Sequence, residues 1–240
     1  MDKKVNILDI EFHNTTKEEM TNILVERIEA DEKTFVVTAN PEIVMYANEH
    51  HDYRQTLQAA DYIVPDGIGI IIGAKLLKQP LQERIAGFDL MKDLLHVAHE
   101  KSLRVFFLGA KKHVIVKAID NISKQYPNMN IVGYHHGYFD LIDESVRDMV
   151  KAANPDLVFV ALGYPKQELW IRGNLPIFEK GVFMGVGGSF DVWAGEVKRA
   201  PVFWRKLNLE WLYRLIKQPS RWKRMLFLPR FIFNVMKKRA

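Results

Sequence analysis

The chain of 240 residues contains no cysteine. That excludes disulfides, thiolate metal sites and a cysteine nucleophile, and it fits a reducing compartment. No run reaches the about 18 apolar residues that a bilayer demands, so no spanning helix is expected. The opening stretch, MDKKVNILDIEF, has no long apolar segment, so no signal peptide is expected. There is no Asp-x-Asp pair of the sort that holds a metal on a nucleotide diphosphate. His135 and His136 are adjacent, which makes them poor co-ligands on one strand face. No internal repeat and no low-complexity segment is visible. Acid is scarce in one region: from Lys198 to Ala240 thirteen Lys and Arg stand against one acid, Glu210. The net charge of +5 therefore hides an acidic body at −7 joined to a tail at +12, two surfaces suited to different jobs.

What is present is globular: 48% hydrophobic and 26% charged residues. The length suits one ordinary domain with an appendage. The charge changes sign near Gly195–Pro201, which puts the expected boundary between a core of residues 1–195 and a basic, helical appendage of 196–240.

The stretch from Thr34 to Asp66 organises the rest. Phe35-Val36-Val37 has strand length and β-branched composition. Asn40 is a good N-cap and Pro41 suits a first helical turn, so one helix is expected to carry Ile43, Val44, Ala47 and Leu57 on one side. Tyr62-Ile63-Val64 is a second short strand, ending at Pro65-Asp66-Gly67. Upstream, residues 5–12 give a short strand or hairpin, and Thr16 caps a helix with Glu19 at capping-box spacing. Downstream, IGIIIGAKLL is a helix packed on the sheet, and LQERIAGFDL puts Arg84 in a polar loop before a helix from Asp89 to Lys101. Strands follow at Arg104–Leu108, Ile131–Tyr134, Leu157–Leu162 and Val182–Val186, separated by helices. Continuous apolar strands alternating with helices predict a Rossmann-like α/β fold, with a mostly parallel sheet covered on both faces.

In such sheets ligands bind at the carboxyl ends of the strands. Thr38 and Asn40 stand at one strand end and Asp66 at the next. Asp66 is either a turn aspartate or a general base that takes a proton from an attacking hydroxyl. Thr38 and Asn40 either cap a helix or orient a sugar. Arg84 is either a solvated arginine or a planar fork for a diphosphate. Leu108-Gly109-Ala110 and Gly185-Val186-Gly187-Gly188-Ser189 are tight strand-to-helix turns. Each suits a phosphate on a helix N-terminus or simple close packing, and neither matches a P-loop or a dinucleotide fingerprint. Gln167 and Glu168 open a helix after a strand, where they contact ligand or favour the helix start.

In the tail, Trp204, Leu207, Trp211 and Leu215 recur at helical spacing, with Leu212 and Ile216 beside them. Pro219 interrupts, and Ser220 can cap a second helix. Arg214, Lys217, Arg221 and Arg224 share a face only if the helix continues through Pro219. Such a tail can bind nucleic acid, pack as an ordinary helix, or lie in a membrane interface. Its three tryptophans, Trp204, Trp211 and Trp222, favour the interface.

Several motifs converge here. TANPEIV, Pro65-Asp66-Gly67, Leu108-Gly109-Ala110, GYPKQE, MGVGGSFDVWAG and KRAP followed by LNLEWLYRL resemble the WecG/TagA/CpsF glycosyltransferase family, in the correct order and over nearly the whole chain. The likeness is greatest to its wall teichoic acid branch. The resemblance implies an inverting transfer of N-acetylmannosamine from UDP-N-acetylmannosamine to N-acetylglucosaminyl-diphospho-undecaprenol, through a β-1,4 bond. It implies no cofactor and no bound metal, a place on the cytoplasmic membrane face, and no nucleic-acid partner; it leaves a homo-oligomer open. It puts the base on Asp66 and active-site roles on Thr38, Asn40, Arg84 and Gln167. It also gives Arg214, Arg221 and Arg224 to an appendage that touches the membrane and closes over the diphosphate. The alternatives are another donor on the same fold, UDP-N-acetylmannosaminuronate or UDP-glucose, and a non-catalytic module that binds nucleotide or anionic lipid.

Overall fold

The computed structural model describes residues 4–219, 222 and 226–239. An N-terminal hairpin, β1 (Lys4–Ile7) and β2 (Ile10–His13), turns through Leu8 and Asp9, both at positive φ. Strands β3 (Lys33–Ala39), β4 (Tyr62–Pro65), β5 (Arg104–Gly109), β6 (Asn130–His135), β7 (Leu157–Ala161) and β8 (Gly181–Gly185) form one sheet in the order β4-β3-β8-β7-β5-β6. All of its pairings are parallel. The α/β reading of the sequence holds.

The apolar runs are continuous because both faces are covered. Side chains alternate across a strand, so Phe35, Val37, Phe106, Val158 and Phe183 serve one core while Val36, Phe107, Phe159, Val182 and Met184 serve the other. The first core is closed by α2 (Pro41–Glu49), α3 (His51–Gln58), α4 (Ile68–Leu76), α7 (Glu144–Ala153) and α8 (Lys166–Asn174). The second is closed by α1 (Lys17–Glu29), α5 (Gly87–Glu100), α6 (Lys112–Gln125) and α9 (Ser189–Trp193). The expected capping box is present: Glu19 N–H donates to Thr16 Oγ1 at 3.1 Å, and Thr16 N–H to Glu19 Oε2 at 2.8 Å.

Two helices expected to be continuous are broken. The one after β3 stops at His50, whose backbone is extended and whose ring stacks on Tyr46 at 3.9 Å. The tail helix divides into α10 (Val202–Lys206) and α11 (Glu210–Lys217). Asn208 takes a left-handed φ of 59°, and the N–H groups of Asn208 and Leu209 return to the carbonyls of Arg205 and Trp204. That is a Schellman stop, with Asn in the position glycine usually fills. The helical spacing of Trp204, Leu207 and Trp211 ran across this stop unseen. Ser220, the expected cap of the next helix, lies outside the described residues.

The last helix, α12 (Phe227–Arg239), lies against α2 and α4. Phe231 and Val235 are buried in the first core. Gly73 of α4 makes the approach possible, since a Cβ there would sit 2.9 Å from the Phe231 ring. Ion pairs from Arg230 to Glu49, at 3.0 Å, and from Lys238 to Asp9 flank the contact. Among the described residues no helix is long and apolar enough to cross a membrane.

Candidate active site

Strands β3 and β4 are paired so that Thr38 lies beside Val64 and Ala39 beside Pro65. Asn40 and Asp66 therefore leave the sheet next to each other, and Asp66 N–H donates to Ala39 O at 2.9 Å. Asn40 caps α2 as expected, its Oδ1 accepting from Ile43 N–H at 3.0 Å. That bond uses the oxygen and leaves the amide nitrogen for a ligand. Thr38 packs against Gly87, the first residue of α5; a Cβ on Gly87 would sit 2.7 Å from Thr38 Oγ1. Gly87 N–H in turn points to Asp66 Oδ2 at 3.5 Å. The loop before α5 is tied to β4 by Ile85 N–H on Pro65 O at 2.8 Å, which carries Arg84 to the same place.

Asp66 keeps a partly exposed surface just past the end of β4. Burial pushes its carboxyl above the ordinary aspartate range; the charges of Arg84 and Arg214 and the Gly87 N–H oppose that, and Glu210 adds to it. A carboxylate raised in this way is suited to accept a proton near neutral pH. Among the described residues no three histidine or acidic side chains gather to hold a metal ion. The positive charge beside Asp66 comes from arginines.

Those arginines arrive with the tail. Glu210 is buried, and its carboxylate meets Arg214 at 2.7 Å, Arg199 at 3.6 Å and Arg84 at 4.0 Å. Arg199 forks onto both oxygens of Asp89 at 2.6 Å and lies 4.7 Å from the Phe88 ring centre. Burial alone would raise the Asp89 carboxyl, but the Arg199 bonds and charge hold it below its ordinary value. The segment before α10 is thus clamped to α5, and α11 is held beside Asp66. Arg221 and Arg224, expected to join Arg214, lie outside the described residues.

A family profile, Glycosyl transferase WecG/TagA/CpsF family, matches residues 5–240. The chain belongs to this glycosyltransferase family. Among its relatives, a Bacillus spizizenii protein named N-acetylglucosaminyldiphosphoundecaprenol N-acetyl-beta-D-mannosaminyltransferase is 47% identical over 210 residues, 88% of this chain and 81% of its own. Proteins of the same name from Bacillus subtilis strain 168 and Staphylococcus aureus strain MW2 are similar too. The first is 48% identical over 85% of this chain and 79% of its own; the second is 45% identical over 98% and 92%.

The transferase carries a second polar cluster along the same sheet edge. Gln167 is buried; its Oε1 accepts from Gly187 N–H at 3.1 Å and its Nε2 donates to Glu168 Oε1 at 2.7 Å. Gln167 therefore fixes the turn after β8. Glu168 lies behind it, 1% exposed, with burial raising its carboxyl and Tyr53 beside it. Gly109 has φ 129°, and a Cβ there would strike the Ala161 carbonyl at 2.4 Å, so its turn needs glycine for packing between β5 and β7. It stands four strands from Asp66, or ~19 Å at the usual strand spacing. The structure brings Thr38, Asn40, Asp66, Arg84 and Arg214 together, sets Gln167 and Gly187 beside each other, and leaves Gly109 at a distance.

Sequence reasoning missed Gly87, Asp89, Arg199 and the contacts of Glu210. One signal was present: a lone acid among thirteen basic residues, inside an apolar helix pattern, is a residue with a partner.

Proposed function

We propose that this protein transfers N-acetylmannosamine from UDP-N-acetylmannosamine to N-acetylglucosaminyl-diphospho-undecaprenol, with inversion, in wall teichoic acid linkage-unit synthesis. The observation that carries the reading is the carboxylate of Asp66 just past the end of a strand, with Arg84 and Arg214 beside it, in a chain so similar to proteins named for this reaction. Inversion requires one base and one stabilised leaving group. Asp66 takes the proton of the acceptor hydroxyl as its oxygen attacks the anomeric carbon. The bond from that carbon to the diphosphate breaks, and its electron pair leaves with UDP. Arg84 and Arg214 meet the charge that develops there, with Arg221 and Arg224 assigned the same task. Thr38 and the Asn40 amide hold the sugar, while Gln167 and Gly187 shape the nucleotide side.

The acceptor is a lipid, so the protein works at the cytoplasmic membrane face. Val202, Phe203, Leu207 and Ile216 of the tail are exposed, as are Phe233 and Met236 of α12, among many Lys and Arg. That composition supports interfacial attachment without a spanning segment.

The test is UDP release from UDP-N-acetylmannosamine with a short-chain lipid-diphosphate N-acetylglucosamine acceptor and EDTA. Acceptor-dependent turnover is expected in wild type. In Asp66→Asn it is expected to fall at least on the order of 10²-fold with UDP binding kept. Equal turnover in the variant would remove Asp66 as the base, and no turnover in folded wild type would move the reading to another donor sugar.

A further inference from the structure

We propose that Glu210 is an internal stand-in for the substrate diphosphate: it occupies the arginine cluster beside Asp66 in the unliganded protein and is displaced when a nucleoside diphosphate binds. The inference rests on the donor reading above and adds a residue and a step to it.

Three guanidinium groups, Arg84, Arg199 and Arg214, meet three carboxylates, Asp66, Asp89 and Glu210. These six charges balance one another, with Arg205 and Lys17 adding positive charge on the Asp89 side. A diphosphate adds about two negative charges, and in a partly buried site like charges at close range are strongly disfavoured. The carboxylate most loosely held against the arginines is then the one to give way.

The three are not held equally. Asp89 is locked by two 2.6 Å bonds from Arg199. Asp66 is anchored through its backbone, N–H to Ala39 O at 2.9 Å, with Gly87 N–H 3.5 Å from its carboxylate. Among the described residues, Glu210 meets the body through two long ion pairs, 4.0 Å to Arg84 and 3.6 Å to Arg199 Nε. That Nε is buried and stops just short of a hydrogen bond to Glu210, a donor used only in part. The one short bond of Glu210 goes to Arg214, one turn along the same helix, which travels with it. A buried carboxylate with long contacts is the replaceable member, since its desolvation is poorly offset. Diphosphate oxygens offer Arg84, Arg199 and Arg214 the charge-assisted bonds that Glu210 makes only in part. Displacement frees α11 to shift and turns Arg214 from Glu210 to the ligand.

The experiment measures binding of UDP, UMP and inorganic pyrophosphate to wild type and Glu210→Gln by calorimetry. With the competitor neutralised, UDP and pyrophosphate are expected to bind about tenfold more tightly, the size of one charge-assisted contact, and UMP less than about twofold. In wild type, which avoids any folding defect of the variant, saturating UDP should speed hydrogen exchange at the amides of residues 210–217, and UMP should not. Weaker or unchanged UDP binding in a folded variant overturns the proposal and makes Glu210 a plain anchor of the tail. So does UDP that leaves exchange at residues 210–217 unchanged or slowed. If wild type and variant both bind UDP no better than UMP, the donor reading itself falls, an outcome distinct from a Glu210 failure.

Discussion

Asp66 is balanced between opposing influences, and that balance is measurable. Burial and Glu210 push its carboxyl up, while Arg84, Arg214 and the Gly87 N–H pull it down. In the proposed role of base it works only when deprotonated. Activity is therefore expected to fall as pH drops through its raised pKa, with an acidic limb above the ordinary carboxylate range. Removing a downward influence moves that limb up; removing an upward one moves it down. Arg84→Gln should thus shift the midpoint of the kcat/KM profile to higher pH, and Glu210→Gln should shift it to lower pH. The midpoint is read rather than the rate, because both side chains also touch the anion site. Shifts of the same sign in both variants would show that the limb belongs to another group. The same scale explains why Gly87 is glycine: a methyl there meets Thr38 Oγ1 at 2.7 Å, so the residue that directs its N–H at Asp66 also leaves room for the threonine.

At the scale of elements, the glycine-mediated seam between α12 and α4 joins the end of the chain to the first core. Phe231 is completely buried there. Phe231→Ala should cost about 3–5 kcal/mol through lost burial and the cavity left behind. For a chain of this size, about 2–4 °C per kcal/mol makes that a fall in Tm of roughly 6–20 °C by calorimetry. An unchanged Tm would mean that α12 leaves the body before the core unfolds. Elements of this kind divide sharply in how well sequence reveals them. Apart from the half-buried edge strand β6, the strands from Phe35 to Val186 were legible because burial on both faces demands unbroken apolar runs, and the caps at Thr16 and Asn40 because capping needs particular side chains. The stops at His50 and Asn208 were not, since each depends on a single backbone conformation inside an intact apolar period. Neither was the docking of α12, because the glycine it needs lies more than 150 residues away along the chain. In the site, Thr38, Asn40 and Asp66 were readable from the ends of neighbouring strands. The Asp89–Arg199 and Glu210 clamps join side chains that only the fold brings together, so spacing could not announce them.

At the scale of the whole molecule, charge, exposed apolar surface and the site all meet through α10 and α11. Arg84 and Arg199 bind Glu210 of α11 on one side, while Phe203 is 69% and Ile216 60% exposed. A surface that places its apolar residues outward and its arginines inward suits the proposed contact with a membrane on one side and a diphosphate on the other. Each basic residue near an anionic surface contributes about 1 kcal/mol, so several of the thirteen engaged together already hold the tail, and inserted apolar side chains would add to that attachment. The double variant Phe203→Asp, Ile216→Asp should therefore lose at least about tenfold in partition onto anionic phospholipid vesicles in a flotation assay. Its UDP affinity in vesicle-free solution should stay within about twofold of wild type, since neither side chain is among those that meet Asp66. Unaltered vesicle binding would assign the attachment to charge or to α12. A parallel loss of UDP binding would show that the outer face of the tail and its arginine face cannot be separated, and that attachment to the surface and assembly of the anion site are one event.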